Sequence, residues 1–360
     1  MKIAISLGTR PEIIKMSPII RLLDKNGYNF ILIHSGQHYS KDMDSVFFEE
    51  LNLPKPDYNL NVGSSTHALQ TSKILKGIEP ILVSEKPDII LVQGDTNTVL
   101  ASALAASKLG IKVGHIEAGL RSFDNSMPEE VNRILTDHIS SLLFCPTEIS
   151  VSNVIKEGID SSKVFLTGNT IVDSLYYYDS LITKHSILKR YKVLSKDYFL
   201  ATIHRQENVD VFSRLEAIIN SLKDLSMKYN KEILFPVHPR TMKMINKFKL
   251  CTEPVNLINP VGYLDFLSLQ KNAKLILTDS GGVQEESCIL GVPCITLRNN
   301  TERPETVNVG SNILTDVESD SVLSAASILI DKSFSWQNPF GDGNSAQTII
   351  DIIKDQMAVK

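Results

Sequence analysis

Seven short polar clusters follow apolar runs in this chain, and together they carry the residue types needed for proton transfer and for holding a diphosphate. The first is Gly8-Thr9-Arg10-Pro11-Glu12, with Lys15 one turn further on. Gly8 permits a tight turn, and Pro11 suits the first turn of a helix. Arg10 and Lys15 then stand near a helix N-terminus, where free peptide N–H groups favour an anion. The alternative is an ordinary turn with solvated basic residues. The second cluster, Gln93-Gly94-Asp95-Thr96-Asn97-Thr98, offers Asp95 either as an acid–base group or as a helix cap. In the third, His115-Ile116-Glu117-Ala118-Gly119-Leu120-Arg121, strand alternation puts Val113, His115 and Glu117 on one face. Glu117 falls at the strand tip, and His115 reads best as a hydrogen-bonded core side chain. The fourth, Met127-Pro128-Glu129-Glu130-Val131-Asn132-Arg133, looks like a helix start. Glu129 and Glu130 complement the macrodipole there, whether or not either has a further role.

The fifth and sixth clusters place His204-Arg205 and His238-Pro239-Arg240 after strands of the second half. His204 and Arg205 are suited to a diphosphate. The seventh is Asp279-Ser280-Gly281-Gly282-Val283-Gln284-Glu285-Glu286. Glycines at a helix start let peptide N–H groups converge on a phosphate. Glu286, one turn beyond Gly282, is placed to accept hydrogen bonds from ribose hydroxyls. No Gly-x-Gly-x-x-Gly follows the first strand and no Walker sequence occurs, so dinucleotide and triphosphate readings lose support. His34 and His38 flank a loop rather than sharing a helix, and no Cys-x-x-Cys pair exists, so no metal site is expected.

The elements that must position these clusters alternate regularly. Strands are expected over 3–7, 30–33, 89–92, 113–116, 142–144 and 164–166, then 199–202, 233–235, 257–258, 275–277 and 294–297. Helices fit 12–23, 98–109, 129–140, 215–229, 263–270 and 283–290, with an amphipathic tail over 345–357. Strands apolar on both faces and alternating with helices call for parallel sheets covered on both sides. A break fits between 168 and 195, where the chain turns polar. Two doubly wound domains would face a cleft at the carboxyl ends of their strands, where this architecture binds ligands.

The 360 residues, 42% hydrophobic and 22% charged, supply two sizeable cores. A formal charge of −4 gives no reason to expect nucleic acid as a partner. No signal-peptide pattern opens the sequence, and no long apolar run points to a membrane. Four scattered cysteines read as buried thiols of a cytoplasmic protein.

The clusters, taken in order, resemble the non-hydrolysing UDP-N-acetylglucosamine 2-epimerases over essentially the whole chain. The matching stretches are Gly-Thr-Arg-Pro-Glu (8–12), Gly-Asp-Thr (94–96), Glu-Ala-Gly-Leu-Arg (117–121) and Pro-Glu-Glu-Val-Asn-Arg (128–133). Thr-Gly-Asn-Thr (167–170), Asp-Ser-Gly-Gly-Val-Gln-Glu-Glu (279–286) and Thr-Glu-Arg-Pro-Glu (301–305) complete them. The resemblance implies an α/β fold of the GT-B type, with two Rossmann-like doubly wound domains facing a central cleft. It implies a first domain of 1–168 plus a returning helix over 346–360, and a UDP-binding domain of 169–345. It implies that Arg10, Lys15, Asp95, Glu117, Glu129 and His204 line the reacting sugar and diphosphate. Asp95, Glu117, Glu129 and His204 are the catalytic candidates among them. Phe266, Ser280, Gly281, Gly282, Glu286 and Arg303 match the family's UDP contacts. Arg205 and His238 join the substrate-binding candidates from their places after strands. A UDP-sugar substrate, no cofactor, a homodimer and a place in polysaccharide biosynthesis are the remaining expectations. One loop departs from the family. Gln37-His38 is followed by Tyr39-Ser40, where many bacterial members carry a basic residue and another Gln. In those members the loop helps to bind a second, activating substrate molecule, so activation by substrate is not carried over.

The chemistry explains the residue types. The C2 proton of an N-acetylhexosamine is not next to a carbonyl, so direct removal is too costly. Oxidation by NAD would need a dinucleotide fingerprint. Breaking the C1–O bond to UDP instead acidifies C2, giving a 2-acetamidoglucal, and re-addition with protonation from the other face inverts C2. Such a route needs proton-handling groups on two faces and cations for the departing diphosphate. A glycosyltransferase of the same fold would not need the carboxylate trio Asp95, Glu117 and Glu129.

Overall fold

The structure is a computed structural model that describes residues 1–36, 47–182, 187–330 and 335–358. The chain divides into two compact units, Met1–Ser174 with Phe340–Lys360, and Leu175–Pro339.

The first unit is built on a parallel sheet of seven strands: β1 (Lys2–Leu7), β2 (Asn29–His34), β3 (Tyr58–Asn59), β4 (Ile89–Gln93), β5 (Lys112–Ile116), β6 (Leu142–Cys145) and β7 (Val164–Leu166). Their spatial order is β3-β2-β1-β4-β5-β6-β7. The central strands are apolar on both faces because helices cover both; β4, Ile-Ile-Leu-Val-Gln, is buried throughout. The order reverses between β1 and β4, which pair through Ile3 with Ile89 and Ile5 with Leu91. Loops leaving these two strands therefore border the switch point, the usual ligand site of an open α/β sheet.

Helix Ser345–Ala358 also belongs to this unit. It buries Ile349, Ile350 and Ile353 and packs against helix Arg10–Lys25. Its first N–H groups have no intrahelical acceptor. The Asp173 carboxylate takes those of Ser345 at 3.3 Å and Ala346 at 2.9 Å.

The second unit repeats the plan with six parallel strands: β8 (Tyr198–Thr202), β9 (Glu232–Pro236), β10 (Asn256–Ile258), β11 (Leu275–Thr278), β12 (Cys294–Leu297) and β13 (Asn312–Thr315). The order β10-β9-β8-β11-β12-β13 puts the switch point between β8 and β11. One side of this sheet packs Phe199, Ala201, Ile233, Phe235, Leu275 and Leu277 against Leu215, Ile218, Ile219 and Leu222 of helix Phe212–Tyr229.

Every expected strand and helix is present within a few residues. The sequence reading passed over β3 and β13, both edge strands. One is two residues long, and the other, Asn-Ile-Leu-Thr, has polar ends. Eight described helices were likewise unmarked in the sequence: the longer His67–Glu85, Glu148–Lys156, Thr170–Ile182, Pro239–Phe248 and Ser319–Ile330, and the short Ile187–Tyr191, Gln206–Val209 and Pro304–Asn308. His67–Glu85 contains Pro80 and buries only a narrow stripe, Gln70, Ile74, Ile78 and Leu82. Cys145, Cys288 and Cys294 are buried, and burial pushes their thiols up, to about 11 for Cys288 and about 12 for Cys294. Cys251 corrects the expectation of buried thiols: it is exposed, in the polar connection after helix Pro239–Phe248.

Candidate active site

In the first unit, the polar clusters collect around the β1/β4 switch point. Gly8 leaves β1 in a space no side chain fits, since a Cβ there would lie 2.2 Å from Thr98 Oγ1 and 2.7 Å from Ser35 Oγ. The Gly8 N–H donates to Glu12 Oε2 at 2.5 Å. Burial pushes the Glu12 carboxyl up to about 7, against the lowering effect of hydrogen bonds from Thr96, Gly8 and Thr9, and neighbouring Asp95 adds to the rise. Arg10, half-buried at the start of helix Arg10–Lys25, lies over the Phe47 ring at 5.5 Å.

Lys15, buried on the same helix, reaches Glu117 Oε1 at 2.5 Å. The side chain of Gln93, the last residue of β4, donates to Glu117 Oε2. Glu117 sits one residue past β5 with φ +70°. That left-handed conformation costs a non-glycine residue about 1–2 kcal/mol. It is held by the N–H groups of Glu117 and Ala118, which both donate to the Phe144 carbonyl at 3.1 and 3.2 Å.

Asp95 follows β4 and is half-buried. Helix Asn97–Lys108 takes Thr96 as its N-cap, so Asp95 is not the cap its position suggested. Helix Pro128–Ile139 holds Asp95 twice: Arg133 pairs with its carboxylate, and Asn132 Nδ2 donates to its carbonyl at 2.9 Å. Arg133 also pairs with Glu130, which accepts from Ser122 N at 3.0 Å, Ser122 Oγ at 2.9 Å and Phe123 N at 2.9 Å. Glu130 is thus a structural anchor. Glu129, in the first turn of that helix, faces solvent. His115 is wholly buried, as a core histidine should be.

In the second unit, the loops after β8 and β11 are tied together by Asp279. Its buried carboxylate accepts from His204 N at 3.1 Å, Arg205 N at 3.0 Å and Asn208 Nδ2 at 3.1 Å. His204 Nδ1 lies 3.2 Å from its other oxygen, with the imidazole otherwise exposed. The His238 ring stands 6.3 Å from that of His204, and its Nδ1 accepts from Arg240 N at 3.2 Å.

Ser280 caps helix Gly281–Ile289 by position. A Cβ on Gly282 would meet nothing within 4 Å among the described residues, and one on Gly281 only Glu302 at 3.6 Å and Arg303 at 3.9 Å. The protein's own packing does not require either glycine. Arg303 pairs with Glu285, and Arg298 with Glu302 at 2.8 Å. Arg298, Arg303 and Arg205 hold Glu302 well below the usual carboxylate range despite its burial. Glu286 is buried and accepts from Tyr263 Oη at 3.1 Å and Gln270 Nε2 at 2.7 Å. Phe266 is half-buried against the apolar cluster under helix Tyr263–Asn272.

Chemically, the first unit offers carboxylates with a buried ammonium, and the second a glycine-started helix N-terminus with Arg303 and Glu302 close to Gly281. No group of three or more His, Cys, Asp or Glu suited to a metal occurs among the described residues. His34 is buried against Phe48, and His38, with the Gln37–Ser40 loop, lies outside the described residues.

A family model for UDP-N-acetylglucosamine 2-epimerase matches residues 21–354. The chain belongs to this family. The UDP-N-acetylglucosamine 2-epimerase of Methanococcus maripaludis is 56% identical over 360 residues, 98% of this chain and 98% of that one. That of Methanocaldococcus jannaschii is 55% identical over 361 residues, 98% of this chain and 99% of its own. A crystal structure of the Methanocaldococcus jannaschii epimerase in complex with UDP-GlcNAc and UDP matches with a TM-score of 0.93 at 55% identity. It covers 99% of this chain and 100% of that chain. As a member of the epimerase family the chain is an isomerase, and its α/β fold is of the GT-B type with two Rossmann-like units.

Among the residues that hold the strand-end loops, Arg133, Asn132, Asp137 and Asn208 were not candidates in the sequence. Each acts by holding another side chain or loop in place. Arg133 and Asn132 sit inside the Pro-Glu-Glu-Val-Asn-Arg motif, which was the available clue. No described helix is long and apolar enough to cross a membrane.

Proposed function

We propose that the chain interconverts UDP-N-acetylglucosamine and UDP-N-acetylmannosamine by eliminating and re-adding UDP. The C1–O bond breaks with its electron pair leaving on the diphosphate, while a carboxylate takes the C2 proton, so that C1=C2 forms. Protonation of C2 on the opposite face and return of the diphosphate oxygen to C1 complete the inversion. Asp95 and Glu117 handle these protons, with Glu129 and His204 as the further catalytic candidates. Arg10, Lys15, Arg205 and His238 stabilise the diphosphate charge. Ser280, Gly281, Gly282, Glu286, Arg303 and Phe266 take the UDP.

The observation that carries this reading is the Lys15–Glu117–Gln93 group beside Asp95 at the β1/β4 switch point. A buried carboxylate given an ammonium and an amide donor is held in one place, as a general base must be. Family membership supplies the nucleotide-sugar context.

The test is turnover of UDP-N-acetylglucosamine in heavy water, followed by NMR. The product should carry deuterium at C2, and oxygen-18 placed in the C1–O–P bridge should scramble into non-bridging positions. Turnover without deuterium at C2 would sink the elimination route. Free hexosamine plus UDP as products would favour a hydrolysing enzyme instead.

A further inference from the structure

His115 takes no part in the chemistry above, yet both its ring nitrogens are committed. Nε2 lies 2.8 Å from the carbonyl oxygen of Gly94, the residue before Asp95. Nδ1 lies 2.6 Å from Asp137 Oδ1. A carbonyl oxygen only accepts, and an ionised carboxylate only accepts, so the ring must donate at both nitrogens and is an imidazolium. Asp137 stays ionised in turn. Its burial would raise the carboxyl, but His115 and Arg121 outweigh that and hold it below its ordinary range.

Asp137 carries the connection to the second loop. Its Oδ2 accepts from Gly119 N at 3.1 Å and lies 2.7 Å from Arg121 Nη2. Gly119 is two residues past Glu117, with φ +81°. A Cβ on Gly119 would come within 2.3 Å of the Ser150 carbonyl, so this loop is pressed against its neighbour. One buried ion cluster therefore grips the loop of Asp95 by a carbonyl and the loop of Glu117 by an N–H.

We propose that the His115–Asp137 pair is a positioning device that fixes the loops of Asp95 and Glu117 relative to each other, touching neither carboxylate nor substrate. This inference rests on the assignment of Asp95 and Glu117 to proton transfer. The arrangement suits that task because a carboxylate misplaced by about 1 Å can lose on the order of a hundredfold in rate.

The test uses the whole enzyme. His115→Gln can donate to only one of the two acceptors; it should lose kcat by roughly a hundredfold, with KM and UDP affinity within about threefold of the parent. Asp137→Asn can donate to a neutral imidazole and still leave Nε2–H on Gly94, so it should keep kcat within about tenfold, while Asp137→Ala falls as His115→Gln does. Nitrogen-15 NMR of the unaltered enzyme should show N–H protons on both nitrogens of one imidazole. Unchanged kcat in His115→Gln overturns the proposal, and so does a bare nitrogen on the His115 imidazole, whose signals are those missing from His115→Gln. If His115→Gln fails to fold, the Asp137→Asn against Asp137→Ala comparison and the NMR decide. Asp95→Asn is assayed alongside: full activity there would remove the proton-transfer assignment, a result separable from failure of the clamp.

Discussion

The Lys15 ammonium stands 2.5 Å from the Glu117 carboxylate across 102 residues of sequence, and both side chains are almost entirely out of solvent. A buried ion pair is a poor source of net stability, but half of one is worse, because the remaining charge keeps its desolvation cost without its partner.

Lys15→Met should therefore destabilise the fold by about 3–5 kcal/mol. Adding Glu117→Gln to it should recover part of that loss, since an amide needs no counter-charge. Urea denaturation of the single and double variants measures both. Strict additivity of the two changes would mean that the pair is not coupled.

Asp95→Asn and Glu117→Gln should each cut turnover by at least about a hundredfold while leaving UDP binding intact, the usual scale for losing a general acid or base. Steady-state kinetics with calorimetric titration of UDP separates the two quantities. Loss of binding in step with turnover would place these side chains in substrate holding instead.

Gly282→Ala separates fold from ligand. With nothing described within 4 Å of the new methyl, thermal stability should stay within about 0.5 kcal/mol of the parent. UDP affinity should nevertheless fall, because peptide N–H groups approach a phosphate only where no side chain intervenes. Unchanged affinity would free this helix N-terminus from any role in phosphate binding. Gly281→Val, with a bulkier intrusion, should block binding.

Glu286→Ala should weaken UDP binding by about 1.5–3 kcal/mol if the carboxylate accepts ribose hydroxyls. Tyr263 and Gln270 already donate to it, so Tyr263→Phe serves as the control for lost internal packing. Equal weakening by both variants would assign Glu286 to holding Tyr263 rather than to the nucleotide.

Glu12 sets a pH dependence. Its carboxyl sits at about 7 in the folded chain, against an ordinary 4.5. Between these values the folded state holds a proton that the unfolded state has lost. The Glu12 contribution is thus complete below the lower value and is lost as pH rises through the upper one, by roughly 3 kcal/mol at most. Glu12→Gln should flatten the stability profile between about pH 5 and pH 8. An unaltered slope in denaturant titrations would assign the raised value to some other group.

The sheets were legible because their central strands are apolar on both faces, a pattern seen in Ile-Ile-Leu-Val after residue 88 and in Leu-Ile-Leu after residue 274. Two of the four edge strands were not: β3 is two residues long, and β13, Asn-Ile-Leu-Thr, has polar ends. Site candidates at strand tips, such as Asp95 and Glu117, announced themselves by following apolar runs. Asp137 did not, because it lies in the last turn of a helix among ordinary helical neighbours, and only the fold brings it to His115. The left-handed backbone of Glu117 was likewise invisible, as nothing in Ile-Glu-Ala-Gly specifies which residue takes it.

The capping of helix Ser345–Ala358 by Asp173 bears on how the protein is made. The unit that carries Asp95 and Glu117 includes residues on both sides of the other unit in sequence. During synthesis, with earlier domains usually folding first, the ribosome will have made the whole of unit Leu175–Pro339 before the stretch that completes the unit of Asp95 and Glu117 emerges. The Asp173 carboxylate waits through roughly 170 residues of elongation for the N–H groups it caps, a span set by the 172 positions between Asp173 and Ser345. The later-starting unit can thus be finished first, and Asp95 and Glu117 gain their full scaffold only when helix 345–358 arrives.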